Sequence, residues 1–304
     1  MKTQAQQSFV ASLGDIPGVQ IMECASQLPA IDIRNRHGSG RILLQGALLL
    51  EWTPSKQEPV VWLSPNAKFA AGKAPRGGVP ICWPWFGPHD TQTDYPAHGI
   101  ARTANWELTD AQHTDDGAHR LTFMLIRDSS NSAFWSHDTP LTLRYTLGPA
   151  LEIELITRNQ SPQPVTISEA LHTYFGVGDI RQVRIHGLDG SDYIDKVAHG
   201  QRFRQSGDVT FSGETDRVYL GTTAHCIIED PVLLRSIRIE KQGSRSTVVW
   251  NPWVEKAEKM GDYIENGYLN MVCVESGNAL DDRITLAPGE EHRLWARYSV
   301  TSLN

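Results

Sequence analysis

Alternation of apolar and polar residues with period two dominates the chain. In LTLRYTL (141–147), Leu141, Leu143, Tyr145 and Leu147 share one face, and Thr142, Arg144 and Thr146 share the other. LEIELIT (151–157) repeats the pattern, and the Gly148-Pro149 pair between them predicts a tight turn and hence a hairpin. AHRLTFMLIRD (118–128), PVTISEALHTYF (164–175), VRIHGL (183–188), LLRSIRIEKQ (233–242), STVVWN (246–251), NMVCVES (270–276) and EHRLWARYSV (291–300) are also strand-like, and GRILLQGALLLEW (40–52) fits two buried strands broken at Gly46. Helical periodicity is confined to SNSAFWSHD (130–138) and PWVEKAEKM (252–260), each a few turns at most. The pattern predicts an all-β protein, either two sheets packed face to face or a closed barrel. With no linker, charge block or internal repeat, one domain over 1–304 is expected.

Residues 75–102 depart from this pattern. PRGGVPICWPWFGPHDTQTDYPAHGIAR is rich in proline and glycine and has little alternation, so it cannot form a central strand. Its aromatics, Trp83, Trp85, Phe86 and Tyr95, argue for a packed loop over a pocket rather than a disordered one.

Charge narrows the function. With 35 Asp and Glu against 28 Lys and Arg, the net charge of −7 argues against a nucleic-acid partner. It still allows an anionic small substrate, because a few arginines in one cleft can reverse the local potential. The four cysteines include no CxxC pair, which disfavours a thiolate zinc site, and reduced, mostly buried thiols are expected. The opening MKTQAQQSFVASLGDIPG lacks the apolar core of a signal peptide, and no stretch has the length of a membrane span. A cytoplasmic monomer without a membrane partner is the expectation. P-loop, HExxH, GxSxG and HxH motifs are absent, and GVGDIR (176–181) lacks the third glycine of a dinucleotide site.

Five polar positions invite chemistry, each with a plainer alternative. His172 in SEALHTYF sits beside Ala170 and Tyr174 on one strand face, where a structural hydrogen bond could equally hold it. Glu275 closes the apolar run MVCV, as an acid held for a purpose or as a strand-terminal salt bridge. Asp216 in ETDRVYL could cap a turn or pair with Arg217. Arg76 precedes Gly77-Gly78, whose bare backbone would let a ligand come close, and Arg102 ends HGIAR four residues after His98; both arginines could equally be surface groups.

RGGVPICWPWFG (76–87), AHGIAR (97–102), ALHTYF (170–175), TDRVY (215–219), VWNPW (249–253) and MVCVE (271–275), in this order, resemble the glucose-6-phosphate 1-epimerase family, the hexose-6-phosphate mutarotases of the aldose 1-epimerase superfamily. The motifs span nearly the whole chain. The resemblance implies a large two-sheet β-sandwich of the galactose-mutarotase type with a sugar site on its concave sheet. It places His172 at the general acid and Glu275 at the general base, and puts Arg76, Arg102 and Asp216 at sugar-phosphate contacts. Where some members carry a ligand-contacting Gln before HGxAR, this chain has Ala97, and His98 is the substitute hydrogen-bonding candidate. Lys68 or Lys73 could join the arginines, Lys256 could reach the rim, and Trp83 and Trp85 are expected mainly to pack. Neither a metal nor a cofactor is implied, and the expected partner is a small sugar phosphate. Other readings of the same fold are a non-catalytic sugar-phosphate sensor, a mutarotase for unphosphorylated aldoses and, most remotely, a cupin-like metal enzyme.

Overall fold

The structure is a computed structural model that describes residues 16–303. The opening segment, read as lacking a signal peptide, falls largely on residues 1–15, outside the described residues. Two eight-stranded sheets form the body. The first runs in the order Gln201–Arg204, Asp192–Asp195, Thr215–Tyr219, Ser246–Asn251, Met271–Asn278, Glu169–Leu171 and Ile81–Cys82, with Tyr174–Gly176 also paired to Met271–Asn278. The second runs Arg184–His186, Cys226–Asp230, Arg235–Gln242, Glu291–Ser302, Leu151–Arg158, Leu141–Leu147, His119–Leu125 and Trp106–His113. A four-stranded sheet (Val19–Glu23, Pro29–Asn35, Gly38–Leu43, Leu48–Pro54) and a two-stranded ribbon (Val165–Ile167, Ile284–Leu286) complete the all-β architecture.

Burial follows the alternation where one face meets the core. Leu141, Leu143, Tyr145 and Leu147 are buried, and the predicted hairpin forms with Leu147 opposite Leu151. The central strands Ser246–Asn251 and Met271–Asn278 are buried on both faces, so their apolar residues come in unbroken runs, VVW and MVCV, rather than alternating. Their two faces serve different neighbours. Val249, Val272 and Val274 join the main core between the sheets, while Trp250, Met271 and Cys273 pack in a second cluster on the outer side with Tyr174 and Tyr263. Phe175 meets Tyr298 across the core at 5.0 Å between ring centres.

Three local expectations need correction. PVTISEALHTYF is three strands, because Val165–Ile167 leaves to pair with Ile284–Leu286 while the later segments join the first sheet. Of SNSAFWSHD only one turn, Ser129–Ser132, is helical. Asp128 and Asn131 form its capping box, and Phe134 and Trp135 then turn toward the core, against Tyr95 and Trp83. The bare backbones of Gly77 and Gly78 admit protein rather than ligand: a Cβ there would lie 2.6 Å from Trp62 O and 2.5 Å from Leu49 O, respectively.

The short strand Ile81–Cys82 lies at the edge of its sheet, the place a proline-rich segment can occupy. All four cysteines are free, and Cys82, Cys226 and Cys273 are buried. No described helix is long and apolar enough to cross a membrane.

Candidate active site

Register brings the central pair together. Leu171 lies opposite Ser276 and Tyr174 opposite Cys273, so His172 falls opposite Glu275 even though the ladder is interrupted there. At the interruption the His172 N–H donates instead to Pro80 O at 3.0 Å, on the other flank. Glu275 is in mid-strand, not at a strand end, and is 1% exposed; its Oε1 lies 3.4 Å from His172 Nε2. His172 Nδ1 and Glu275 Oε2 have no hydrogen-bond partner among the described residues. The imidazole lies parallel to the Tyr174 ring at 5.0 Å and edge-on to Trp250 at 6.0 Å, which fixes its plane.

These groups line a cavity of about 450 Å³, and all six residues singled out from the sequence (Arg76, His98, Arg102, His172, Asp216, Glu275) border it. Asp216 lies opposite Trp250 in the neighbouring strand and pairs with Lys196. It does not pair with Arg217, which points to the other face and meets Asp195. Arg76 donates through Nε to both Asp262 oxygens at 3.1 Å and through Nη1 to the Tyr174 hydroxyl at 3.0 Å. Arg102 donates to the carbonyl of Ala97 at 2.7 Å and forms no ion pair among the described residues. Position 97 thus orients an arginine through its backbone, whatever its side chain.

His98 has a left-handed backbone, φ 65°, held by its N–H on Gly87 O. The next residue must be glycine, because a Cβ on Gly99 would lie 2.0 Å from Trp83 O. Nδ1 of His98 faces the Gly87 N–H at 3.3 Å, which assigns the ring proton to Nε2. Trp83 and Trp85 do pack: Trp83 is fully buried with Nε1 on Thr157 Oγ1, and Trp85 donates to Pro96 O. Of the aromatics in this segment, Phe86 is the one that lines the cavity.

Burial sets the protonation pattern. It pushes His98 down to about 3, assisted by Arg102, Lys196 and Arg76, so that ring is a neutral donor. Burial likewise holds His172 well below its ordinary value, with His98 and Arg102 adding to the effect. Glu275 is pushed well up by burial, Lys196 opposes the shift and Asp216 adds to it. Neutral imidazole beside neutral carboxyl, and imidazolium beside carboxylate, are two forms of one pair holding the same single proton.

The motifs missed Lys196, which has no signal of its own in the sequence, and the stacking of Tyr174 on His172. Lys256 does reach the rim, paired with Glu214 at 2.6 Å, and Lys73 lines the wall, whereas Lys68 is not among the lining residues. Donor atoms of His172, Cys273 and Glu275 lie within 4.8 Å of one another. The Cys273 thiol, however, is packed among Tyr174, Trp250 and Tyr263, and burial drives it well away from the thiolate a metal needs.

A family model described as aldose 1-epimerase matches residues 29–299. A relative from Escherichia coli strain K12, named "Putative glucose-6-phosphate 1-epimerase", is 43% identical over 78% of this chain and 78% of its own. A crystal structure of a "putative mutarotase" from Salmonella typhimurium is 35% identical, with a TM-score of 0.85 over 95% of this chain and 99% of that one. A galactose mutarotase-like protein from Clostridium acetobutylicum shares the fold at 13% identity, with a TM-score of 0.72 over 94% of this chain and 98% of that one. The matched region runs through both large sheets and contains every residue of the cavity named above, and on this footing the chain belongs to the aldose 1-epimerase family.

Proposed function

We propose that this protein interconverts the α and β anomers of a hexose 6-phosphate, with glucose 6-phosphate as the leading substrate. The observation that carries the reading is the opposition of His172 and Glu275, an acid and a base side by side at the wall of a sugar-sized cavity. Anomer exchange needs a base to take the proton from the C1 hydroxyl and an acid to protonate the ring oxygen. The C1–O5 bond then opens, the aldehyde turns about C1–C2, and reclosure with the proton flow reversed gives the other anomer. One mobile proton shared by two groups is enough, and each group contributes about 10²–10⁴-fold. Glu275 is assigned as base and His172 as acid on opening, with the roles exchanged on closing.

The surrounding groups suit recognition. Asp216 accepts from sugar hydroxyls, and the neutral His98 donates through Nε2. Arg102, spent only on one carbonyl, keeps most of its donors for a phosphate, and Arg76 adds charge already braced by Asp262. The name carried by the Escherichia coli relative supports the same substrate class.

The test is NMR exchange between the α and β anomeric protons of glucose 6-phosphate, with catalytic protein and with glucose as control. Acceleration of the phosphate ester alone is the expected result. Equal acceleration of both sugars would remove the phosphate role of the arginines. Binding without acceleration would make the protein a sugar-phosphate sensor.

A further inference from the structure

One cation that borders the same cavity as His172 and Glu275 has no place in the reading so far. Lys196 follows the strand Asp192–Asp195, and its N–H donates to Asp216 O at 2.8 Å, which carries the ladder one residue past the strand end. Register therefore sets Lys196 beside Asp216. Its side chain borders the cavity, with Nζ 3.5 Å from Asp216 Oδ1 and 5.0 Å from the centre of the Phe86 ring. The aromatic face holds the ammonium where it is, while the carboxylate pairs with it.

Glu275 is on the same face of that sheet. Val218, two residues beyond Asp216, lies opposite Val248, and Val248 lies opposite Glu275. The titratable groups around Glu275 come from every side: Cys273 on its own strand, His172 and Tyr174 on one flank, Asp216 on the other, Cys82 from the edge strand and Tyr298 from the second sheet. None of these is a permanent cation. Arg76 and Arg102 act on the histidines instead, and Arg76 is already paired with Asp262.

We infer that Lys196 is a positioning residue for anomer exchange, the shared counter-ion that keeps Glu275 and Asp216 available as carboxylates. The inference rests on the function proposed above. Lys256 also faces Asp216 but is paired with Glu214 at 2.6 Å, so without the Lys196 ammonium the two carboxyl groups on one face compete with each other's charge, and both retain protons to higher pH. Asp216 then loses acceptor capacity, and the base is reached only in alkaline solution.

The experiment is the pH profile of kcat/KM for glucose 6-phosphate anomer exchange in wild type, Lys196→Met and Lys196→Arg, with Glu275→Gln as the blank. The substrate's own phosphate ionisation is common to all of them and cancels in the comparison. For Lys196→Met we expect a rate about tenfold lower at neutral pH, recovering as the profile moves up by about one pH unit. Lys196→Arg, which keeps the charge, is expected to keep the wild-type profile. A Lys196→Met profile that superimposes on wild type overturns the inference, whether or not KM changes; a KM change alone would make Lys196 a plain substrate contact. Carboxyl-carbon NMR titration of Glu275 and Asp216 in wild type and Lys196→Met tests the counter-ion without catalysis, and unmoved titrations also overturn it. If wild type itself fails to accelerate exchange while the two carboxyls still titrate higher in Lys196→Met, the proposed reaction fails and the counter-ion stands. The lysine side chain is more than a third exposed and outside the core, and Lys196→Gln replaces the methionine variant if that one does not fold.

Discussion

His172 and Glu275 face each other across a break in a β-ladder, Nε2 to Oε1 at 3.4 Å. The register is the same on both sides of the break, Leu171 with Ser276 and Tyr174 with Cys273. The interruption frees His172 from its strand partner without moving it from its place opposite Glu275. A side-chain pair anchored in this way, one member within a strand and the other between two strands of the same sheet, is held more rigidly than one carried by loops.

Removing either half of the pair should abolish most of the rate while the fold survives. Glu275→Gln is expected to lower kcat at least ~10²-fold, with His172→Asn similar, and the double variant little worse than either single one. Exchange NMR on the four proteins measures this, and a fully active Glu275→Gln would remove the assignment.

Arg102→Ala should raise KM for glucose 6-phosphate by about tenfold or more and leave glucose nearly unaffected. Arg76→Ala should do the same with an added loss of thermal stability, because Asp262 and Tyr174 lose their shared partner. Equal KM changes for both sugars would show that the arginines do not read the phosphate.

Acid should destabilise the fold through His98. Its folded value of about 3 lies below the ordinary 6.5, so the unfolded chain binds the proton more readily. The stabilisation is complete above pH 6.5 and is lost as pH falls toward 3, by at most roughly 4–5 kcal/mol for a shift of this size. His98→Asn should flatten this part of the stability–pH curve; denaturant unfolding at pH 7 and pH 4.5 gives the slopes.

Trp83 should act on stability rather than chemistry. It is fully buried, its Nε1 donates to Thr157 Oγ1 at 3.0 Å, and its ring meets Trp135 edge-on at 5.8 Å. Trp83→Ala is expected to cost about 3–5 kcal/mol. Trp83→Phe should cost less and keep wild-type kcat below its melting transition, which a melt combined with exchange NMR will test.

The sequence on its own determined the strand class and most of the second sheet. Strands such as Leu141–Leu147 bury one face against the core and leave the other half-buried, so period two is written into their residues. Through their motifs it also marked Arg76, His98, Arg102, His172, Asp216 and Glu275, all of which border the cavity. Tertiary structure decided what those residues do to one another. Whether Glu275 ends a strand or sits within one depends on its pairing with Ser246–Asn251, and whether Asp216 meets Arg217 or Lys196 depends on which face each residue takes in the sheet. The use of Gly77 and Gly78 likewise depends on backbones some 15 to 29 residues earlier in the chain (Trp62, Leu49), which local pattern cannot see. Lys196 is the clearest case: an ordinary lysine after an ordinary strand, it becomes part of the site only because the register lays it beside Asp216 and the fold brings Phe86 beneath it. Local periodicity records which face is buried, whereas the charge a buried acid carries is set by neighbours distant in the chain, and only the folded arrangement supplies those.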